Sequence, residues 1–87
     1  MGQTVKLVYF AWVRERIGRA DEEIVLPDGV RTPADLMGHL SRTDETYANA
    51  FAEPAAVRVA LDKRVAEHDA PLAGAREIAF FPPMTGG

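Results

Sequence analysis

Cysteine is absent from all 87 residues, which excludes disulfides, cysteine-ligated zinc or iron–sulfur clusters, and any thiol nucleophile within the chain. Histidine is nearly absent as well. His39 and His68 stand apart, and a metal site needs three or four donors converging on one point, so each is read as a solvated surface residue. Positive charge is not in excess. Ten Lys and Arg against thirteen Asp and Glu leave a net charge of -3, without the basic patch or stripe that marks a nucleic-acid surface. Every apolar run is too short to span a bilayer, and the opening MGQTVK has no signal-peptide core. The expected location is therefore cytoplasmic, with neither nucleic acid nor membrane as a partner. Met1-Gly2 begins like a myristoylation signal, but Lys6 stands where that signal needs Ser or Thr. Phosphate loops of the G-x-x-x-x-G-K-[ST] and G-x-G-x-x-G kinds are missing too, so no cofactor site is expected on this chain and ATP has to be bound by a partner.

What is present is ordinary globular composition, 47% hydrophobic and 26% charged, in a length that suits one domain. Val5 to Trp12 is rich in β-branched and aromatic residues and reads as a first strand. Period-2 alternation puts Val5, Leu7, Tyr9 and Ala11 on one face and Lys6, Val8, Phe10 and Trp12 on the other. That second face is more apolar than a solvent face should be. Gly18 and a charge-rich stretch break the pattern before Glu22–Leu26 gives a second, antiparallel strand ended by Pro27 and an Asp28-Gly29 turn. Thr32 as N-cap, Pro33 at the first helical position and Asp35 three residues after the cap predict a helix whose Leu36, Met37 and Leu40 face the sheet. A short helical turn follows near Glu45, ended by Pro54. Val57, Val59 and Leu61 then alternate inward, Asp62-Lys63 turns the chain, and Arg64–Glu67 returns. Pro71 to Gly74 carries the turn signals before a last strand, Glu77–Phe81. Strand, strand, helix, strands is the order of an α+β roll in which a mixed sheet of four to five strands is covered on one face by a helix.

Two prolines after Phe81 lack the N–H groups a sheet ladder needs, so pairing should stop there. The expected division is a domain over residues 1–81 and a flexible C-terminal tail over 82–87. Six residues, Pro82, Pro83, Met84, Thr85, Gly86 and Gly87, reach roughly 20 Å at about 3.3 Å each. Terminal glycines can enter a slot too narrow for any side chain, and the group they present is the α-carboxylate of Gly87. A carboxylate is a poor electrophile until activated, for example as an acyl-adenylate.

The ending FFPPMTGG, with YFAWVRERIG near the start and PLAGAREIAFFPP leading into the tail, closely resembles the small, sulfur-carrying subunits of molybdopterin synthase in the MoaD/ThiS group of ubiquitin-like proteins. The resemblance spans about the full length. It implies a β-grasp fold and a non-catalytic carrier. In that cycle an E1-like adenylating enzyme activates Gly87 and sulfur from a donor protein replaces AMP to leave a thiocarboxylate. The tail then enters the large synthase subunit, in an expected heterotetramer, and passes sulfur to cyclic pyranopterin monophosphate to build the dithiolene. The resemblance further implies that Phe10, Val65 and Phe81 form the apolar docking face for both partners, and period-2 parity agrees, since Phe10 points opposite to Tyr9 and Phe81 opposite to Phe80. Two turns depart from the pattern: Asp62 stands where Asn is frequent, and Ala75-Arg76-Glu77 where Gly-Asp-Glu is frequent. Arg14 and Glu15 match the group's VRE, which leaves open whether they bind a partner or fix a loop. Other chemistry fits the same terminus: a ubiquitin-like modifier joined through Gly87 to lysines, or a sulfur carrier of another pathway such as thiamine synthesis. A third option is a plain interaction module with an inert tail.

Overall fold

Alternation of Val5, Leu7 and Tyr9 with Thr4, Lys6 and Val8 makes Thr4–Tyr9 the first strand, β1, in a computed structural model that describes residues 2–83. The inward three are almost fully buried. Asp21–Val25 is β2, Arg58–Leu61 is β3, Arg64–Ala66 is β4 and Glu77–Phe81 is β5. The sheet order is β2-β1-β5-β3-β4, with β1 parallel to β5 and every other pair antiparallel. The last strand of the sequence thus lies at the centre of the sheet, and the roll with its mixed five-stranded sheet is as expected.

The first strand is shorter than its sequence pattern. It stops at Tyr9, and Ala11–Ile17 is a helix, α1, instead of the strand end and charged loop expected there. The pattern of apolar residues fits both forms locally. Val13 and Ile17, four apart, are the buried residues of α1, and Trp12 lies under the Arg16 guanidinium at 4.5 Å from its ring centroid. The switch is made at two residues. Phe10 stays extended, and its carbonyl accepts from the Val13 and Arg14 N–H groups, while Ala11 takes a left-handed φ of 52°. Gly18, at φ 87°, ends α1 by donating its N–H to the Arg14 carbonyl.

Pro33–Thr43 is α2, begun as the sequence predicts. The Thr32 hydroxyl accepts from the Asp35 N–H at 3.1 Å, Pro33 occupies the first turn, and Leu36, Met37 and Leu40 are buried. Asp44 caps the next helix, α3, Glu45–Ala50. Pro54 does not end α3, which already stops at Ala50. It opens a 3-10 turn, Pro54–Ala56, because its fixed φ suits a helical start better than a stop. A two-residue turn joins β3 to β4, with Asp62 at φ 50° and Lys63 at φ 71°, the left-handed pair that matches the twist of a tight hairpin. Buried residues from α1, α2, α3 and the inward side of the sheet form one core, whose last member among the described residues is Phe80.

Candidate functional site

β5 brings the chain to the tail from the most enclosed position in the sheet. Phe80 pairs with Tyr9 on one side and Val59 on the other, and its ring stacks on Tyr9 and tilts against Phe51. Pairing ends at Phe81, opposite Arg58, and neither Pro82 nor Pro83 belongs to a strand, in keeping with their missing N–H groups. Pro82 is half-buried and Pro83 exposed. The remaining expected tail residues, Met84, Thr85, Gly86 and Gly87, lie outside the described residues.

Register assembles the candidate docking residues on one face. Lys6, Val8 and Phe10 share a parity on β1 and its extension. Cross-strand partners then place Val8, Ala79, Ala60 and Val65 in a single row over β1, β5, β3 and β4. Phe10 continues the parallel ladder, donating its N–H to the Phe80 carbonyl at 3.1 Å, and so stands beside Phe81 one rung nearer the tail. The core and its helices lie on the opposite side, with Tyr9, Phe80 and Val59. Phe10 and Val65 are 49% and 62% exposed, against almost complete burial for every large side chain of the inward face of β5, and Phe81 is half-buried. The result is a continuous apolar band that runs to the root of the tail.

Two members of that band, Ala60 and Ala79, were not candidates from sequence. They are only 8% and 6% exposed although they face away from the core, because larger neighbours flank them. Their only sequence signal is their parity, opposite to Val59 and Ile78. Trp12, expected on this face, belongs to α1 and packs half-buried against the core. Arg14 and Glu15 are exposed on α1, and among the described residues neither side chain makes a hydrogen bond, so they do not fix the loop in that way.

The surroundings of the site are held by polar side chains that the sequence did not single out. Tyr9 donates its hydroxyl to Glu22 Oε2 at 2.8 Å, Tyr47 of α3 donates to the same oxygen, and Arg19 pairs with Oε1 at 3.0 Å. Burial, and then the bond to Glu22, raises both hydroxyls, Tyr47 to about 12 and Tyr9 further. The Asp62 carboxylate accepts from the Arg76 and Glu77 N–H groups at 2.9 and 3.0 Å, which lowers its pKa. The two turns that depart from the resembled pattern therefore meet, and they hold the start of β5 against the β3–β4 hairpin. Gln3 donates to the carbonyls of Leu72 and Ala75, both at 2.8 Å, and secures the loop before β5. His68 differs from the expected solvated residue. It is half-buried, and its Nε2 lies 2.7 Å from the Val57 carbonyl oxygen; His39 is half-buried too. Among the described residues no group of three His, Cys, Asp or Glu is placed to hold a metal ion, and no helix is long and apolar enough to cross a membrane.

The family model described as the ThiS family matches residues 7–87. The molybdopterin synthase sulfur carrier subunit of Escherichia coli is 32% identical over 83 residues, which cover 95% of this chain and 99% of that protein. The protein of the same name from Haemophilus influenzae matches to the same extent. Among solved structures, a Pyrococcus furiosus protein assigned as subunit 1 of molybdopterin converting factor superposes with a TM-score of 0.71 at 31% identity, covering 93% of this chain and 98% of that one. SAMP1 of Haloferax volcanii superposes with a TM-score of 0.70 at 21% identity, covering 98% of this chain and all of that one, a likeness of fold alone.

Proposed function

The chain belongs to the ThiS family, and from that premise we propose that it is a cytoplasmic sulfur carrier of molybdenum cofactor biosynthesis, loaded and unloaded at Gly87. The observation that carries this is the nearly complete, two-way coverage between this chain and the sulfur carrier subunits of molybdopterin synthase. An E1-like partner joins the Gly87 carboxylate to AMP, with pyrophosphate leaving. Sulfur from a donor protein then takes the place of AMP at the acyl carbon. The resulting thiocarboxylate enters the large synthase subunit and its sulfur bonds to cyclic pyranopterin monophosphate; water then cleaves the acyl–sulfur bond, leaving the sulfur on the pterin and restoring the Gly87 carboxylate for another round. The chain contributes the acyl group and the surface that brings it to each enzyme; the enzymes contribute the catalysis.

The apolar band explains how a chain without a catalytic group is recognised. Phe10, Val65 and Phe81, with Val8, Ala60 and Ala79 between them, dock on the large subunit and on the activating enzyme in turn, and the tail that leaves from Phe81 is aimed into the active site. The test is mass spectrometry of the full chain after incubation with the activating enzyme, ATP and a sulfur donor, followed by the large subunit and cyclic pyranopterin monophosphate. A terminal oxygen-for-sulfur exchange, reversed as molybdopterin forms, is the expected result. Gly-Gly remnants on lysines of other proteins, with no thiocarboxylate, would instead identify a modifier. Phe81→Asp and Phe10→Asp should each weaken the complex with the large subunit while leaving the isolated domain folded, since an unpaired charge is costly at an interface core. Equal binding by both variants, measured by calorimetry beside circular dichroism, would remove the docking face from the proposal.

A further inference from the structure

The sheet order leaves two open edges, β2 and β4, and the two differ in charge. Along β2, Asp21, Glu22 and Glu23 follow one another, so a second β2 laid antiparallel against the first and centred on Glu23 would set acid against acid. β4 is flanked by opposite charges. Exposed Lys63 precedes it, exposed Glu67 follows it, and Val65, 62% exposed, lies midway between them. The direction of the backbone groups can be followed from β5 outward. Asp62 donates its N–H to the Glu77 carbonyl of β5 at 2.9 Å, so by alternation Ala60 and Arg58 also turn toward β5, while Leu61 and Val59 turn toward β4. Leu61 pairs with Arg64 and Val59 with Ala66. Val65, between those partners, therefore turns its N–H and C=O away from β3, onto an edge where no further strand lies among the described residues.

We propose that the β4 edge is a self-pairing surface: a second copy of this chain lays its β4 antiparallel against the first, about a two-fold axis, and joins the two sheets into one. Parity and charge select a single register. Val65 has to meet a residue whose own N–H and C=O face the edge, and by alternation those are Lys63, Val65 and Glu67. With Val65 opposite Val65, the two copies exchange two backbone hydrogen bonds, two β-branched side chains meet, and Lys63 of each copy stands opposite Glu67 of the other. A shift that sets Val65 opposite Lys63 brings Arg64 against Arg64 at the axis. The opposite shift sets Glu67 against Val65 and loses both matches with Lys63. Every group the interface uses is thus present in this chain. By the β3–β4 register Glu67 already stands opposite Arg58, so in the pair it lies between two cations, Arg58 of its own copy and Lys63 of the other. The proposal does not depend on the sulfur-carrier reading. An edge contact a few residues long buries far less than the roughly 1,200 Å² at which stable complexes begin, so the pair is transient and fills only at high concentration.

The test is sedimentation equilibrium of the full chain alone, from roughly 10 μM to about 1 mM, with amide chemical shifts followed over the same dilution. The average mass should rise toward that of two chains, more at low salt than at high, and the dilution-sensitive amides should lie at residues 63–67. Val65→Pro removes the edge N–H without removing a bond to β3, and should weaken association roughly tenfold or more. Lys63→Glu and Glu67→Lys each set like charges opposite one another and should weaken it several-fold, while the double exchange restores the match and should recover most of the loss. Circular dichroism should show the variants folded, since all three side chains are exposed. If Val65→Pro unfolds, the charge exchange decides alone. A single-chain mass at every concentration overturns the proposal. So does association that the single charge changes leave at parental strength, a double exchange that recovers nothing, or dilution shifts centred on β2 or Phe10 instead of β4.

Discussion

Asp62 sits in a left-handed turn and still joins two distant parts of the chain, which is why its titration should be visible in stability. Its Oδ1 accepts from the Arg76 and Glu77 N–H groups, and these bonds, Arg76 first, hold the carboxyl below the ordinary carboxylate range. A group whose folded pKa is depressed adds stability above its unfolded value, near 3.9, and loses it as pH falls through the folded value. Asp35 and Asp44 are depressed in the same direction by backbone N–H bonds at their helix starts, so the parent should lose stability in steps below about pH 4. Asp62→Asn keeps an acceptor and tolerates the positive φ, but it cannot titrate. Urea midpoints taken from pH 6 downward should fall less steeply for Asp62→Asn than for the parent. Parallel curves would mean that the carboxylate's charge is not what the two N–H groups recognise.

At the scale of elements, β2 is held to α3 through one carboxylate. Tyr9 is almost wholly buried on β1, Tyr47 is on α3, and both hydroxyls end at Glu22 on β2. Glu22→Ala leaves the Tyr9 hydroxyl without an acceptor, at a cost of about 1–3 kcal/mol in unfolding free energy. Glu22→Gln, which retains a carbonyl oxygen, should recover most of this in urea unfolding. Ultraviolet titration gives a second measure: in Glu22→Ala, Tyr47 should titrate below its parental value of about 12, though still raised by burial. This joint was hidden in the sequence because its three members lie on different elements, and it takes both the β1–β2 register and the placement of α3 to bring them together. Other elements were legible for local reasons. Thr32-Pro33 with Asp35 announced α2, and EIAFF between turn residues and prolines announced β5. The β1–α1 junction was misread because Trp12 and Val13 satisfy alternation and helical spacing equally, and the deciding event is a single left-handed residue, Ala11. The proposed docking face was half legible. Phe10, Val65 and Phe81 came from the family resemblance, with strand parity in agreement, whereas Ala60 and Ala79 acquire a place beside them only from strand pairing.

For the whole molecule, the placement of β5 separates folding from chemistry. The strand that leads to the tail is paired on both sides, and among the described residues every core residue lies at or before Phe80, so the domain should fold whatever happens at Gly87. Deleting Gly87, or adding one residue after it, should leave the thermal midpoint unchanged while molybdopterin formation stops. Deletion withdraws the acyl carbon by about 3.3 Å, the length of one extended residue, and a misplacement near 1 Å already costs on the order of a hundredfold in rate. Extension instead removes the free carboxylate from Gly87, so neither the adenylate nor the thiocarboxylate can form there. Gly86→Val keeps the length and the carboxylate and adds only a branched side chain, which a slot shaped for glycine backbone should refuse. The three variants therefore separate reach, chemistry and width. With purified activating enzyme, ATP and a sulfur source, thiocarboxylate is followed by mass and molybdopterin by the fluorescence of its oxidised product. Binding through the apolar band should survive in all three, so calorimetry with the large subunit should show association without turnover. Loading and turnover of the extended chain at the parental rate would mean that Gly87 is not the residue that bears the sulfur.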